Sequence, residues 1–103
     1  MSLTGHEIYE QKKMIPVILT SQSIKLRQHK FLLNPKQTIA EFMYFLKQHK
    51  YVKTDTNASY WLQMKNYNLI PQQSENFSSL YYHFKHSQDG FLYINIEQQW
   101  SFG

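Results

Sequence analysis

Five histidines, His6, His29, His49, His83 and His86, are the side chains best suited to metal binding or proton transfer in this chain. His83 and His86 lie three apart, a spacing that brings two side chains together on a helix. No third ligand and no acidic partner falls in register with them, so they read as solvated surface histidines. Ser74, Ser78 and Ser79 lack the glycine-framed turn that exposes a nucleophile. Gly5, Gly90 and Gly103 are too scattered to form a phosphate-cradling loop. The absence of cysteine excludes a disulfide framework, a thiolate zinc site and a cysteine nucleophile. The acidic residues offer no evident pair for acid–base work. The expectation is a protein that is not an enzyme and uses no cofactor or metal.

One residue retains a chemistry of its own. Gly103 closes a polar stretch that begins at Glu97. An extended segment ending in a residue without Cβ can thread a narrow enzyme channel. Its carboxylate can then be adenylated, held as a thioester and passed to an amine. In that chemistry Gly103 is substrate and not catalyst. The alternative is a domain that only binds a partner, with the terminal glycine incidental.

The elements that must position these residues follow from the rest of the chain. A length of 103 residues allows one domain. The 42% hydrophobic and 17% aromatic content supplies bulky core material, and no apolar run approaches a membrane span or a signal peptide. A net charge of +4 suits nucleic acid, anionic lipid or acidic peptide. Lys12 and Lys13 are the only adjacent basic pair, too sparse for the stripe of a nucleic-acid reader, so nucleic acid is set aside. An intracellular, aqueous location is expected.

Residues 1–13 read as a short N-terminal helical arm, with a weak apolar cluster at Leu3, Ile8 and Tyr9. Residues 14–103 read as the domain, with 97–103 as its flexible tail. Met14 to Thr20 is a β-branched strand, and Ile24 to Leu33 resumes strand character after a turn at Ser21-Gln22-Ser23, which makes an antiparallel hairpin. Thr38-Ile39-Ala40-Glu41 fits a capping box. It predicts a helix from Thr38 to Lys50 that buries Ile39, Met43 and Leu46, with Phe42 and Phe45 widening the apolar face. Tyr60 to Met64 is a third strand and Leu69-Ile70 a brief fourth. Phe77, Leu80, Tyr81 and Phe84 mark a short helix, Asp89-Gly90 a turn, and Phe91 to Ile96 a last strand buried on both faces. This order predicts an α+β, ubiquitin-like β-grasp fold, a mixed sheet wrapped around one main helix. A split βαβ sandwich is the competing topology.

Asp89-Gly90-Phe91-Leu92-Tyr93-Ile94, with Phe102-Gly103 at the end, resembles the C-terminus of the autophagy ubiquitin-like modifiers. The nearer likeness is to the GABARAP and light-chain-three branch, which is conjugated to phosphatidylethanolamine. Lys30-Phe31-Leu32-Leu33 resembles that branch's second strand, Thr38-Ile39 with Phe42 its helix start, and Ile15-Pro16-Val17-Ile18 its first strand. The autophagy-protein-twelve branch, conjugated to a protein lysine, is the close second. The resemblance implies conjugation through Gly103, with Phe102 anchoring the tail. It implies activating and conjugating enzymes and a processing protease as partners. It also implies a cytoplasmic protein that moves to the autophagosomal membrane when conjugated.

The resemblance further implies a peptide-docking groove along the second strand for receptor and adaptor peptides of the aromatic-x-x-aliphatic kind. An aromatic-accepting pocket maps onto Ile8, Pro16, Lys30, Leu32 and Phe91. An aliphatic-accepting pocket maps onto Phe31, Leu33, Phe42 and Phe45. Because Phe31 and Leu33 alternate with Leu32, one set must face away from the core. Asn34 and Gln37 make the second pocket more polar than in the family, and Met14 replaces a cation.

Overall fold

The computed structural model describes residues 3–49 and 58–100, with the side chains of 58, 99 and 100 excepted. Seven elements follow one another: α1 (Gly5–Lys12), β1 (Ile15–Thr20), β2 (Lys30–Leu33), α2 (Ile39–Gln48), β3 (Ala58–Met64), α3 (Phe77–Phe84) and β4 (Leu92–Trp100). The sheet order is β2-β1-β4-β3. β1 and β4 run parallel at the centre, with Val17 opposite Leu92 and Leu19 opposite Ile94, while β2 and β3 pair antiparallel on the flanks. This is the ubiquitin-like arrangement, and it disposes of the split sandwich.

The Thr38 capping box is present, with the Thr38 hydroxyl accepting from the Glu41 backbone and the Glu41 side chain accepting from Thr38. Ile39, Phe42 and Leu46 are the buried residues of α2, so the face turns slightly from the expected one and Met43 is only half-buried. Leu46 and Phe42 pack with Val17, Leu19, Leu80, Leu92, Ile94 and Ile96 in one core, all without accessible surface. Tyr81, on α3, closes the core, and the Asn76 side chain caps the start of that helix by accepting from the Ser79 N–H.

Several expectations change. β2 covers Lys30–Leu33 alone, not Ile24 to Leu33. Residues 21–23 are instead gathered by Glu97, and Ile24 and Leu26 tuck against the core from a non-strand connection. Leu69-Ile70 forms no strand: Leu69 makes a single bridge to Met64, across a turn in which Asn66 and Asn68 take left-handed backbone angles of 74° and 51°. β4 is central yet buried on one face only, with Leu92, Ile94 and Ile96 inside and Tyr93 and Asn95 half-exposed between them.

The expected flexible tail at 97–103 also starts too early. β4 continues to Trp100 because β3 offers it partners down to Ala58, with Trp61 opposite Glu97 and Ser59 opposite Gln99. Lys50, where the expected helix ends, and residues 51–57, as well as Phe102 and Gly103, lie outside the described residues. No described helix is long and apolar enough to cross a membrane.

Candidate functional site

β2 is the sheet's edge, paired with β1 on one side and, among the described residues, with no strand on the other. Its backbone groups on that side can receive an added strand. Burial along β2 alternates: Phe31 and Leu33 point into the core, while Lys30 and Leu32 point outward. Leu32 is 45% exposed, unusual for a leucine in a strand, and Pro16 sits opposite it on β1. Ile8 from α1 and Phe91 from the approach to β4 complete the wall. All five residues of the predicted aromatic-accepting pocket thus line one open cavity of about 330 Å³.

The structure adds Leu3 and Lys12 from the N-terminal arm, and Val17 and Phe31 from beneath. Lys12 follows Ile8 by four residues, one helical turn, so that spacing could have placed it in the groove. Lys12 and Lys30 are the charged residues of the lining, and both are cations. The cavity therefore suits a flat apolar side chain flanked by acidic groups.

α1 is fixed over this cavity by its N-terminal cap and by contacts with the turn at Asp89-Gly90. Thr4 and Glu7 form a capping box of the same kind as Thr38 and Glu41, in a sequence that carries the same signature. The two Thr4 donors hold the Glu7 carboxyl below its usual range. The Gly5 N–H donates to the Asp89 carbonyl at 2.6 Å, and Tyr9 lies with its ring 4.9 Å from that of Tyr81. The buried Tyr81 hydroxyl donates to the Gly90 carbonyl at 2.7 Å. Burial first, then the ionisation of Tyr9 and Asp89, raises the Tyr81 phenol above its ordinary value.

Asp89 organises the turn that meets the arm. Burial pushes its carboxyl upward, but the Tyr93 hydroxyl, the Phe91 N–H and the nearby His86 and His6 outweigh this and leave it lowered. His86 lies 3.5 Å from the Asp89 carboxylate, while His83 is exposed. Among the described residues no three metal-ligating side chains converge.

The second predicted pocket is different. Phe42 has no accessible surface, and Phe31 and Leu33 keep 7% and 5%. Phe31 and Phe42 meet edge to face at 5.4 Å, Phe42 and Phe77 at 5.5 Å, and Phe45 stacks on Phe42 at 6.5 Å. Phe31, Leu33 and Phe42 contribute to the core, because strand alternation points Phe31 and Leu33 onto α2, while Phe31 also underlies the aromatic-accepting cavity. Only Phe45 remains half-buried among the four. Beside Leu33, the surface carries a shallow hollow of about 340 Å³ lined by Asn34, Lys36, Gln37 and Glu41. The polar substitutions at 34 and 37 thus define the surface itself.

A family model described as "Autophagy protein Atg8 ubiquitin like" matches residues 4–103. Among solved structures, ATG8 of Trypanosoma brucei superposes with a TM-score of 0.77 at 21% identity, over 96% of this chain and 85% of that one. Atg8 of Plasmodium falciparum, solved in complex with a P. falciparum Atg3 peptide, gives 0.70 at 22% identity, over 90% of this chain and 83% of that one. A search of curated proteins found no match.

Proposed function

This chain belongs to the Atg8 family of autophagy ubiquitin-like proteins, and on that premise we propose that it is a lipid-conjugated modifier, joined through the Gly103 carboxylate to the amine of phosphatidylethanolamine. As a family member it is a ubiquitin-like modifier of autophagy and not an enzyme. The branch is the GABARAP and light-chain-three one. The single observation that carries the reading is the cavity beside an open edge strand, which joins all five residues expected of the aromatic-accepting pocket.

Conjugation uses the other end of the sheet. β4 carries the chain to Trp100, three residues before Gly103. Adenylation activates the glycine carboxylate, an enzyme thiolate displaces AMP to form a thioester, and the lipid amine then attacks the thioester carbonyl and releases the thiol. Phe102 sets the register of the segment in each enzyme, and a processing protease is a further partner of the same segment. The groove meanwhile takes aromatic-anchored receptor and adaptor peptides, and the P. falciparum relative, solved in complex with an Atg3 peptide, supports a conjugating-enzyme partner here. The protein is cytoplasmic when free and sits on the autophagosomal membrane when conjugated.

Incubation with ATP and the family's activating enzyme tests the modifier chemistry, because only a modifier yields a thioester that reducing agent cleaves. Intact mass of the protein from its source then identifies the acceptor. A mass increase equal to phosphatidylethanolamine less water is expected. A protein adduct instead would assign the chain to the autophagy-protein-twelve type.

A further inference from the structure

The two faces of β2 differ in what they offer an incoming peptide. On the α1 side lie the exposed Lys30 and Leu32 and the apolar cavity. On the α2 side, Phe31 and Leu33 keep little accessible surface, Phe45 is half-buried beside Phe31, and the hollow next to Leu33 is lined by Asn34, Lys36, Gln37 and Glu41. An extended peptide laid parallel to β2 alternates its side chains between these faces. If an aromatic residue enters the cavity, the residue three positions later points to the opposite, α2 side. It also lies about 10 Å further along, toward the C-terminal end of β2 where the hollow begins.

We propose that this groove selects peptides with an aromatic anchor followed, three residues on, by a polar hydrogen-bond acceptor such as glutamine and not by an aliphatic residue. The inference rests on the groove reading above. In the hollow the Asn34 carboxamide oxygen already accepts the Lys36 N–H at 2.8 Å, and the Glu41 carboxylate is committed to Thr38. The amide N–H groups of Asn34 and Gln37 and the Lys36 ammonium are the donors on its rim. An aliphatic side chain placed there covers polar groups without filling an apolar pocket, so it gains little. The aromatic cavity still supplies the main anchor.

Two synthetic peptides with the same acidic flank and tryptophan anchor, differing only in leucine or glutamine at the third following position, test this on the full chain by calorimetry. An open aliphatic pocket favours leucine by about ten- to a hundred-fold. The expectation here is that the glutamine peptide binds at least as tightly as the leucine peptide, and that changing tryptophan to alanine weakens both about tenfold or more. Leucine tighter than glutamine by more than twofold overturns the proposal and leaves the groove standing. A chain that binds neither peptide overturns the groove reading and this inference with it. As a second measurement, Gln37→Leu should shift preference toward leucine, and an unchanged ratio counts against the assignment of the hollow.

Discussion

The backbone of Gly5 rests directly on that of Gly90: a Cβ added to Gly5 would stand 2.3 Å from the Gly90 carbonyl carbon and 2.5 Å from the Phe91 nitrogen. Phe91 is a wall of the aromatic cavity, so the contact that seats the arm also fixes the cavity's width. Gly90 itself holds a φ of 75°, in the left-handed region that favours glycine.

Gly5→Ala should therefore loosen the arm although alanine is the better helix former by about 1 kcal/mol. The methyl group has only backbone to displace, and overpacking of this kind costs about 1–3 kcal/mol. Leu3, Ile8 and Lys12 would leave the groove together. The expected result is faster hydrogen exchange along α1 and severalfold weaker peptide binding, with the core amides of β4 still protected. Unchanged exchange in α1 would show that the turn yields to the methyl group.

Glu97 gives a second prediction. Its carboxylate accepts from the Ser23 hydroxyl and N–H at 2.5 and 2.9 Å, from the Gln22 N–H at 3.0 Å and from the Asn95 amide at 2.6 Å. Partial burial alone would raise its pKa, but these donors prevail and lower it from 4.5 to about 2. The native value lies below the unfolded one, so the stabilisation is complete above 4.5 and disappears as the pH falls toward 2. Glu97→Gln should remove that acid dependence and cost on the order of 1 kcal/mol at neutral pH, a figure reduced for solvent screening. Denaturant titrations across the acid range, on both proteins, provide the comparison.

The fold was largely legible because its signals are local. Thr38 and Glu41 announce a helix by spacing, Asp89-Gly90 a turn, and Val17 and Ile94 central strands by type. Legibility failed where a distant partner decides. Nothing near Glu97 says that Ser23 will hold it or that β3 will extend β4 past it. Ile24 and Leu26 look like strand residues, but the carboxylate of Glu97 bends the chain before them. At the groove, alternation showed that Leu32 and Leu33 face opposite ways but not which faces out, because that depends on where α2 packs. The arm's seat needed Gly5 and Gly90 to be neighbours, which eighty-four intervening positions conceal.

Leu32 and Leu33 separate binding from stability. Leu32→Ala and Lys30→Ala remove parts of the exposed rim and should weaken an aromatic-anchored peptide severalfold with the melting temperature nearly unmoved. Leu33, 5% exposed against α2, should instead cost about 2–5 kcal/mol as alanine. Paired thermal melts and calorimetry distinguish the two; a Leu33→Ala protein as stable as the parent would contradict the packing described.

Tyr93 offers an alkaline counterpart to Glu97. Its hydroxyl donates to the Asp89 carboxylate, and that bond, burial and the Asp89 charge together push the phenol from 10 up to about 12. The native value lies above the unfolded one, so the bond's contribution is complete below 10 and lost as the pH rises through about 12. Ultraviolet difference titration should show Tyr93 ionising near pH 12, in addition to the raised Tyr81, and Tyr93→Asn or Tyr93→Phe should delete that step. Its persistence in the variant would assign it to another tyrosine.

Gly103→Ala examines the conjugation chemistry with the smallest possible change. Among the described residues the last core member is Ile96, and the change adds a single methyl group well beyond it in sequence, so the melting temperature should not move. The groove lies along β2 and α1 and should bind peptide as before. The added methyl group sits beside the acyl carbon that an enzyme thiolate and then the lipid amine must approach. In a channel fitted to glycine that methyl obstructs both attacks, and conjugate formation should fall at least about a hundredfold, the loss expected when a reacting carbon is misplaced by a fraction of its own size. Deleting Gly103 should abolish it. A deletion variant that still forms conjugate would move the acyl donor to another carboxylate and remove Gly103 from the mechanism.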